Sequence, residues 1–142
     1  SEPEMLHDLG MVSQECSEWG VPLVCMAYVR GNAPSETEDA AHAVRVVSEL
    51  GADVVKCDYT GDPDSFRTVV EASLVPVVVA GGPVMESDRD ILDMVYGAMS
   101  AGASGVSIGR NIFQHRNPEK ITAAIADIVK NGSDAEEAGR LL

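Results

Sequence analysis

Two rhythms of apolar residues alternate along this chain. Four short runs, "VPLVCMAYV" (21–29), "ADVVKCDY" (52–59), "VPVVVAGG" (75–82) and "SGVSIGRN" (104–111), are rich in β-branched residues without strict alternation. Runs of that kind predict strands buried on both faces, as in a parallel sheet. Between them apolar positions recur every three or four residues. Met5, Leu9, Val12 and Cys16 mark a helix over residues 4–19, and Ala40, Ala43, Val44, Val47 and Leu50 mark one over 36–50. Shorter helices are predicted over Asp64–Ala72, after Pro63 at a first helical position, and over Ser87–Ala101, with Ser87 as cap. The last, Pro118–Asn131, has Asn117 as its cap and Gly132 as its stop.

Strands and helices therefore alternate, and strand starts recur about every 23 to 31 residues, the length of successive βα units. "SELGADVV" and "MSAGASGV" repeat the same passage from helix through Gly-Ala to strand, as an α/β barrel with internal repetition would. A doubly wound open sheet has the same alternation, but no GxGxxG follows the first strand. A complete (β/α)8 TIM barrel takes about 250 residues. Four strands in 142 residues thus predict the C-terminal half of such a barrel. Residues 1–142 form that half, with 131–142 as a polar tail.

Composition narrows the partners. The net charge is −13, and only Lys56, Lys120 and Lys130 are lysines. Such a surface repels nucleic acid and anionic membranes, whose phosphates need clustered Lys and Arg. It also suits high salt, where screening removes the self-repulsion. No apolar run nears the roughly 20 residues of a membrane span, and "SEPEMLHDLG" lacks a signal-peptide pattern, so a cytoplasmic location is expected. Cys16, Cys25 and Cys57 are widely spaced without a CxxC, which predicts reduced core thiols rather than disulfides or a metal site. His7, His42 and His115 have no metal-ligand spacing.

Lys56 stands out, because lysine is rarely buried without a partner or a task. In a barrel the inward residues alternate and the active site lies at the C-terminal strand ends. If Lys56 points inward, Val54 and Asp58 share its side while Val55 and Cys57 face the helices. On the preceding strand, Tyr28 points inward with Met26 and Val24, and Cys25 points outward. Lys56 then serves either in a salt bridge, for instance to Asp58, or as an amine nucleophile. An unperturbed lysine titrates near ~10.4, so the second role needs desolvation or a neighbouring cation. Tyr28 is either a core tyrosine or a proton donor and acceptor. At the last two strand ends, "AGGP" and "IGRN" place Gly81, Gly82, Gly109 and Arg110 together. They are either tight turns beside a surface arginine or a phosphate cradle of backbone N–H groups and a forked cation.

The stretches "VVKCDYTGDPDSFRTVV", "VPVVVAGGP" and "GASGVSIGRNIFQH", with "MAYVRG" upstream, resemble the archaeal class I aldolases of the DhnA type over nearly the whole chain. The resemblance implies a metal-independent enzyme without a cofactor, in which Lys56 is the Schiff-base lysine and Tyr28 transfers protons. Gly81, Gly82, Gly109 and Arg110 would hold the phosphate of a keto-sugar. It also implies a homo-oligomer. Val84 stands where that family often has lysine, and the family's acid/base aspartate, on the first barrel strand, has no counterpart here. Within the family the similarity is greatest to the branch that passes a three-carbon fragment to aspartate semialdehyde in aromatic amino-acid biosynthesis. The alternatives are cleavage of fructose 1,6-bisphosphate by the same chemistry, and a non-catalytic half-barrel that binds phosphate.

Overall fold

A computed structural model of the chain describes residues 2–30 and 36–142. Four parallel strands form one sheet in sequential order: β1 (Val24–Met26), β2 (Val54–Cys57), β3 (Val77–Ala80) and β4 (Gly105–Ser107). The long helices are α1 (Glu2–Trp19), α2 (Glu36–Glu49), α3 (Pro63–Ala72), α4 (Asp88–Ser100) and α6 (Pro118–Asn131). Two short ones, α5 (Arg110–Phe113) and α7 (Ala135–Gly139), complete the set. Sequential parallel order with a helix between each pair of strands is the arrangement of half a TIM barrel. Among the described helices none is long and apolar enough to cross a membrane.

The helices begin and end for local reasons. The Asp62 carboxylate accepts from the Ser65 N–H at 2.8 Å, and Pro63 then opens α3 where no N–H is needed. Ser87 caps α4 by accepting from Asp90 N–H, and Asn117 caps α6 by accepting from Lys120 N–H. Gly132, at φ 75°, ends α6 in the left-handed region.

The sheet has two unlike faces. Val55, Cys57, Val77 and Val79 pack with Val44 and Val47 of α2, Phe66 and Val69 of α3 and Ala98 of α4. Tyr59 meets Phe66 edge-on, with ring centroids 5.2 Å apart. A second cluster joins Leu92 and Val95 of α4, Ile121, Ile125 and Ile128 of α6, and Ala135 and Ala138 of α7. On the opposite face lie Val24, Met26, Val54, Lys56 and Val78, brought level by the registers Met26↔Lys56↔Val78. Among the described residues no helix covers this face at its edge, where Val24 is 55% and Met26 63% exposed. At the N-terminal end, Asp53 fixes β1 to β2, its carboxylate accepting from Leu23 N–H at 2.7 Å.

The structure differs from the sequence reading in three places. The strands are shorter than the apolar runs, because only the paired cores of those runs form ladders. The run predicted as strand through residue 111 leaves the sheet after Ser107 and turns into α5 at Arg110. Asn111 draws it away by bonding to carbonyls of the neighbouring loop. The expected polar tail instead contains α7, capped by Asp134, whose two alanines are buried against α4 and α6.

Cys25 and Cys57 both lie on the helix side, as the alternation required. Burial, then the nearby Asp58 charge, pushes the Cys57 thiol up to about 12. An unfolded thiol ionises near pH ~8.5, so above that point the unfolded chain sheds a proton that the folded one retains. Stability then falls as pH rises towards the folded value. Denaturant melts of the full-length protein from about pH 8 to 11 should show this fall, and Cys57→Ala should flatten part of it. Phe66→Ala, which empties a fully buried site, should cost about 3–5 kcal/mol in the same melts.

Candidate active site

Lys56 sits near the C-terminal end of β2, on the face of the sheet turned away from the helices. Its backbone is fixed by neighbours on both sides: its carbonyl accepts from Ala27 N–H at 2.8 Å, and it pairs in register with Met26 and Val78. Its side chain is half-buried. No ion pair or hydrogen bond joins that ammonium to another described residue. The salt bridge to Asp58, one of the two sequence readings, is absent: Asp58 Oδ2 lies 4.0 Å from Arg30 Nη1 instead.

Tyr28 follows β1 on the same face. Its hydroxyl makes no hydrogen bond to a described residue, so a core tyrosine tied to the backbone is not what forms here. The Arg30 guanidinium lies over its ring, 4.9 Å from the centroid. Partial burial raises the phenol's pKa, with the Asp58 charge adding to the effect, Arg30 opposing it and Cys57 contributing least. Lys56, Tyr28, Arg30 and Asp58 thus gather at the ends of β1 and β2.

At the ends of β3 and β4 the four predicted cradle residues come together. Gly81 is buried where any side chain would strike Ile108, its Cβ falling 2.6 Å from Ile108 Cγ2. Gly82 has φ +61°, a left-handed conformation glycine adopts without strain. Arg110 donates from Nη2 to the Gly82 carbonyl at 2.8 Å, tying the two strand ends to each other. Val84 is exposed on the same loop.

Sequence reasoning missed the residue that holds this loop in shape. Asn111, 3% exposed, donates from Nδ2 to the carbonyls of Gly81 (2.7 Å) and Pro83 (2.9 Å). Its Oδ1 accepts from Met85 N–H at 2.8 Å. The signal was a buried-type apolar run ending in Asn, whose amide offers two donor hydrogens and an acceptor oxygen. A second clamp lies further along. His115 bonds to Asp88 through Nε2 at 2.9 Å, and Arg116 donates to the other Asp88 oxygen at 2.8 Å. This joins the start of α4 to the loop before α6 and gives His115 a structural task.

A cavity of about 680 Å³ opens between the β2–α3 loop, the β3–α4 loop and α4, lined by Tyr59, Pro63, Gly82, Met85, Met94 and Gly97 among others. Lys56 and Tyr28 do not line it, whereas Asp58, Gly81 and Gly82 do. Among the described residues there is no cluster of three or more side chains able to hold a metal ion.

Residues 1–115 match the family model described as DeoC/LacD family aldolase. The chain is 44% identical over 96% of its length to the 2-amino-3,7-dideoxy-D-threo-hept-6-ulosonate synthase of Halobacterium salinarum, covering 52% of that protein. It is 39% identical over 92% of its length to the 2-amino-4,5-dihydroxy-6-oxo-7-(phosphonooxy)heptanoate synthase of Streptomyces griseus, covering 48% of it. Among solved structures, an archaeal fructose-1,6-bisphosphate aldolase superposes with a TM-score of 0.84 at 37% identity, over 90% of this chain and 53% of that one. That structure has its catalytic lysine covalently bound to the carbinolamine intermediate of the substrate. The chain spans about half the length of the relatives it matches.

Asn111→Ala removes one buried and two part-buried hydrogen bonds, to the carbonyls of Gly81 and Pro83 and the N–H of Met85. It should destabilise the folded protein by about 2–4 kcal/mol in denaturant melts, with faster amide exchange at Met85. Unchanged exchange there would show that the loop holds its shape without Asn111.

Proposed function

The chain belongs to the DeoC/LacD family of aldolases, and on that premise we propose that Lys56 is the amine that forms the Schiff base. The observation that carries this reading is a lysine without an ionic partner among the described residues, on the open face of β2, level with Met26 and Val78 on the flanking strands. The substrate is a phosphorylated keto-sugar, and Gly81, Gly82, Gly109 and Arg110 receive its phosphate. Gly82 and Gly109 support that role, since nothing lies within 4 Å of where their Cβ would be, and Arg110 adds a cation beside them.

The chemistry follows from the amine. Neutral Lys56 adds to the ketone carbon, and the resulting carbinolamine loses its hydroxyl with a proton as water, leaving an iminium. The carbon–carbon bond beyond the adjacent carbon then breaks. Its electron pair moves into the iminium to give an enamine, while the hydroxyl proton of the departing carbon goes to a base and an aldehyde leaves. The enamine carbon attacks an acceptor aldehyde, the new alkoxide takes up a proton, and water hydrolyses the iminium to free Lys56. Tyr28 moves protons in these steps.

The acceptor in this reading is aspartate semialdehyde, giving a 2-amino-3,7-dideoxy-D-threo-hept-6-ulosonate synthase, as the Halobacterium relative is named. The runner-up is a class I fructose-1,6-bisphosphate aldolase, favoured by the likeness to the solved aldolase. Turnover with aspartate semialdehyde against glyceraldehyde 3-phosphate separates the two.

Borohydride reduction of the full-length protein in the presence of a phosphorylated keto-sugar should attach the reduced three-carbon fragment to the peptide containing Lys56, as read by mass spectrometry. Lys56→Ala should abolish trapping and lower turnover by at least about a thousandfold. An unmodified Lys56 in protein that still turns over its substrate overturns the assignment.

A further inference from the structure

Beyond Lys56, the two nearest strands end in opposite charges whose mutual attraction is small. Arg30 Nη1 and Asp58 Oδ2 are 4.0 Å apart, and the side chains are 73% and 56% exposed. That separation is too long for a hydrogen bond, and exposure leaves such a pair little net energy. The guanidinium is nonetheless positioned. It donates from Nη1 to the Val29 carbonyl at 3.1 Å and lies 4.9 Å over the Tyr28 ring. Most of its N–H donors remain without a described partner, and the Asp58 carboxylate accepts no hydrogen bond from a described residue.

Place along the sheet gives the pair its meaning. The strand order is β1-β2-β3-β4, so the phosphate cradle lies on one side of Lys56 and Arg30 on the other. Asp58 follows the end of β2 directly, two residues past Lys56. A ketose phosphate held at the cradle with its carbonyl at Lys56 therefore directs the end where carbon–carbon bonds break and form towards Arg30 and Asp58.

We propose that Arg30 and Asp58 together receive the α-amino-acid head of the aldehyde acceptor, Arg30 binding its carboxylate and Asp58 its ammonium. The inference rests on the Schiff-base reading above and adds the part of the site that selects the acceptor. Arginine alone would serve a carboxylate or a phosphate. Asp58 decides between them, because it repels a phosphate dianion and complements an ammonium. A neutral pair of opposite charges matches a neutral zwitterion. Two of the relatives are named for products that carry a 2-amino group.

The test uses the full-length protein, one ketose phosphate donor and three acceptors: L-aspartate semialdehyde, succinate semialdehyde, which lacks the ammonium, and glyceraldehyde 3-phosphate. The unaltered protein should prefer aspartate semialdehyde over succinate semialdehyde by at least about tenfold in kcat/KM. Asp58→Asn should erase most of that preference and improve use of glyceraldehyde 3-phosphate. Arg30→Gln should impair both carboxylate acceptors. Borohydride trapping with donor alone reports separately on Lys56. Normal trapping with no preference for the amino group overturns the Arg30–Asp58 assignment and leaves the Schiff base standing. Absence of trapping in the unaltered protein overturns both.

Discussion

A parallel strand exposes its side chains alternately to two faces, and the placement of every candidate residue depends on which face the helices take. Here α2, α3 and α4 cover the face carrying Val55, Cys57, Val77 and Val79. Every second residue is thereby excluded from chemistry. The remainder, Lys56 among them, are left on the opposite side. A shift of one residue in β2 would exchange Lys56 with Cys57, burying an ammonium among valines, which costs far more than such a core recovers. The lysine thus also helps to specify the register that positions it.

The strand ends are held by polar bonds rather than by packing. Arg110 ties to Gly82, and Asn111 ties to Gly81, Pro83 and Met85. These bonds satisfy the buried Gly81 carbonyl and fix a loop whose glycines allow it many conformations. Asn111 supplies the rigidity here, and Gly82, at φ +61°, the turn.

Charge has a local as well as a global role. The chain carries −13 overall, and much of that acidity goes to capping helices, as at Asp62 and Asp134, or to paired positions such as Asp88 with His115 and Arg116. Against so acidic a background, Arg30 and Arg110 at the rim of the strand ends mark a region of the surface unlike its surroundings. Arg110 is bonded to the Gly82 carbonyl. Arg30 is bonded to the Val29 carbonyl and stands over Tyr28.

Much of this was legible in the sequence. Apolar periodicity located the four strands and five long helices. Alternation within "DVVKCDY" assigned Lys56 and Cys57 to opposite faces. Caps at Ser87 and Asn117 and the stop at Gly132 followed from the local chemistry of helix ends. What escaped was whatever depends on residues far apart in the chain. Asn111 reads as the end of a strand until the loop 81–85 is brought beside it. Residues 131–142 read as a polar tail until α4 and α6 offer a surface for Ala135 and Ala138. Asp58 reads as a partner for Lys56, two residues away, until Arg30 arrives from the neighbouring strand.

The sequence alone determined which segments are strand or helix and which side of each strand could carry chemistry, because period and capping are local properties of the chain. Tertiary structure decided which polar groups meet. Those pairings arise between segments about 30 residues apart, where only the registers of the assembled sheet bring donor and acceptor within reach.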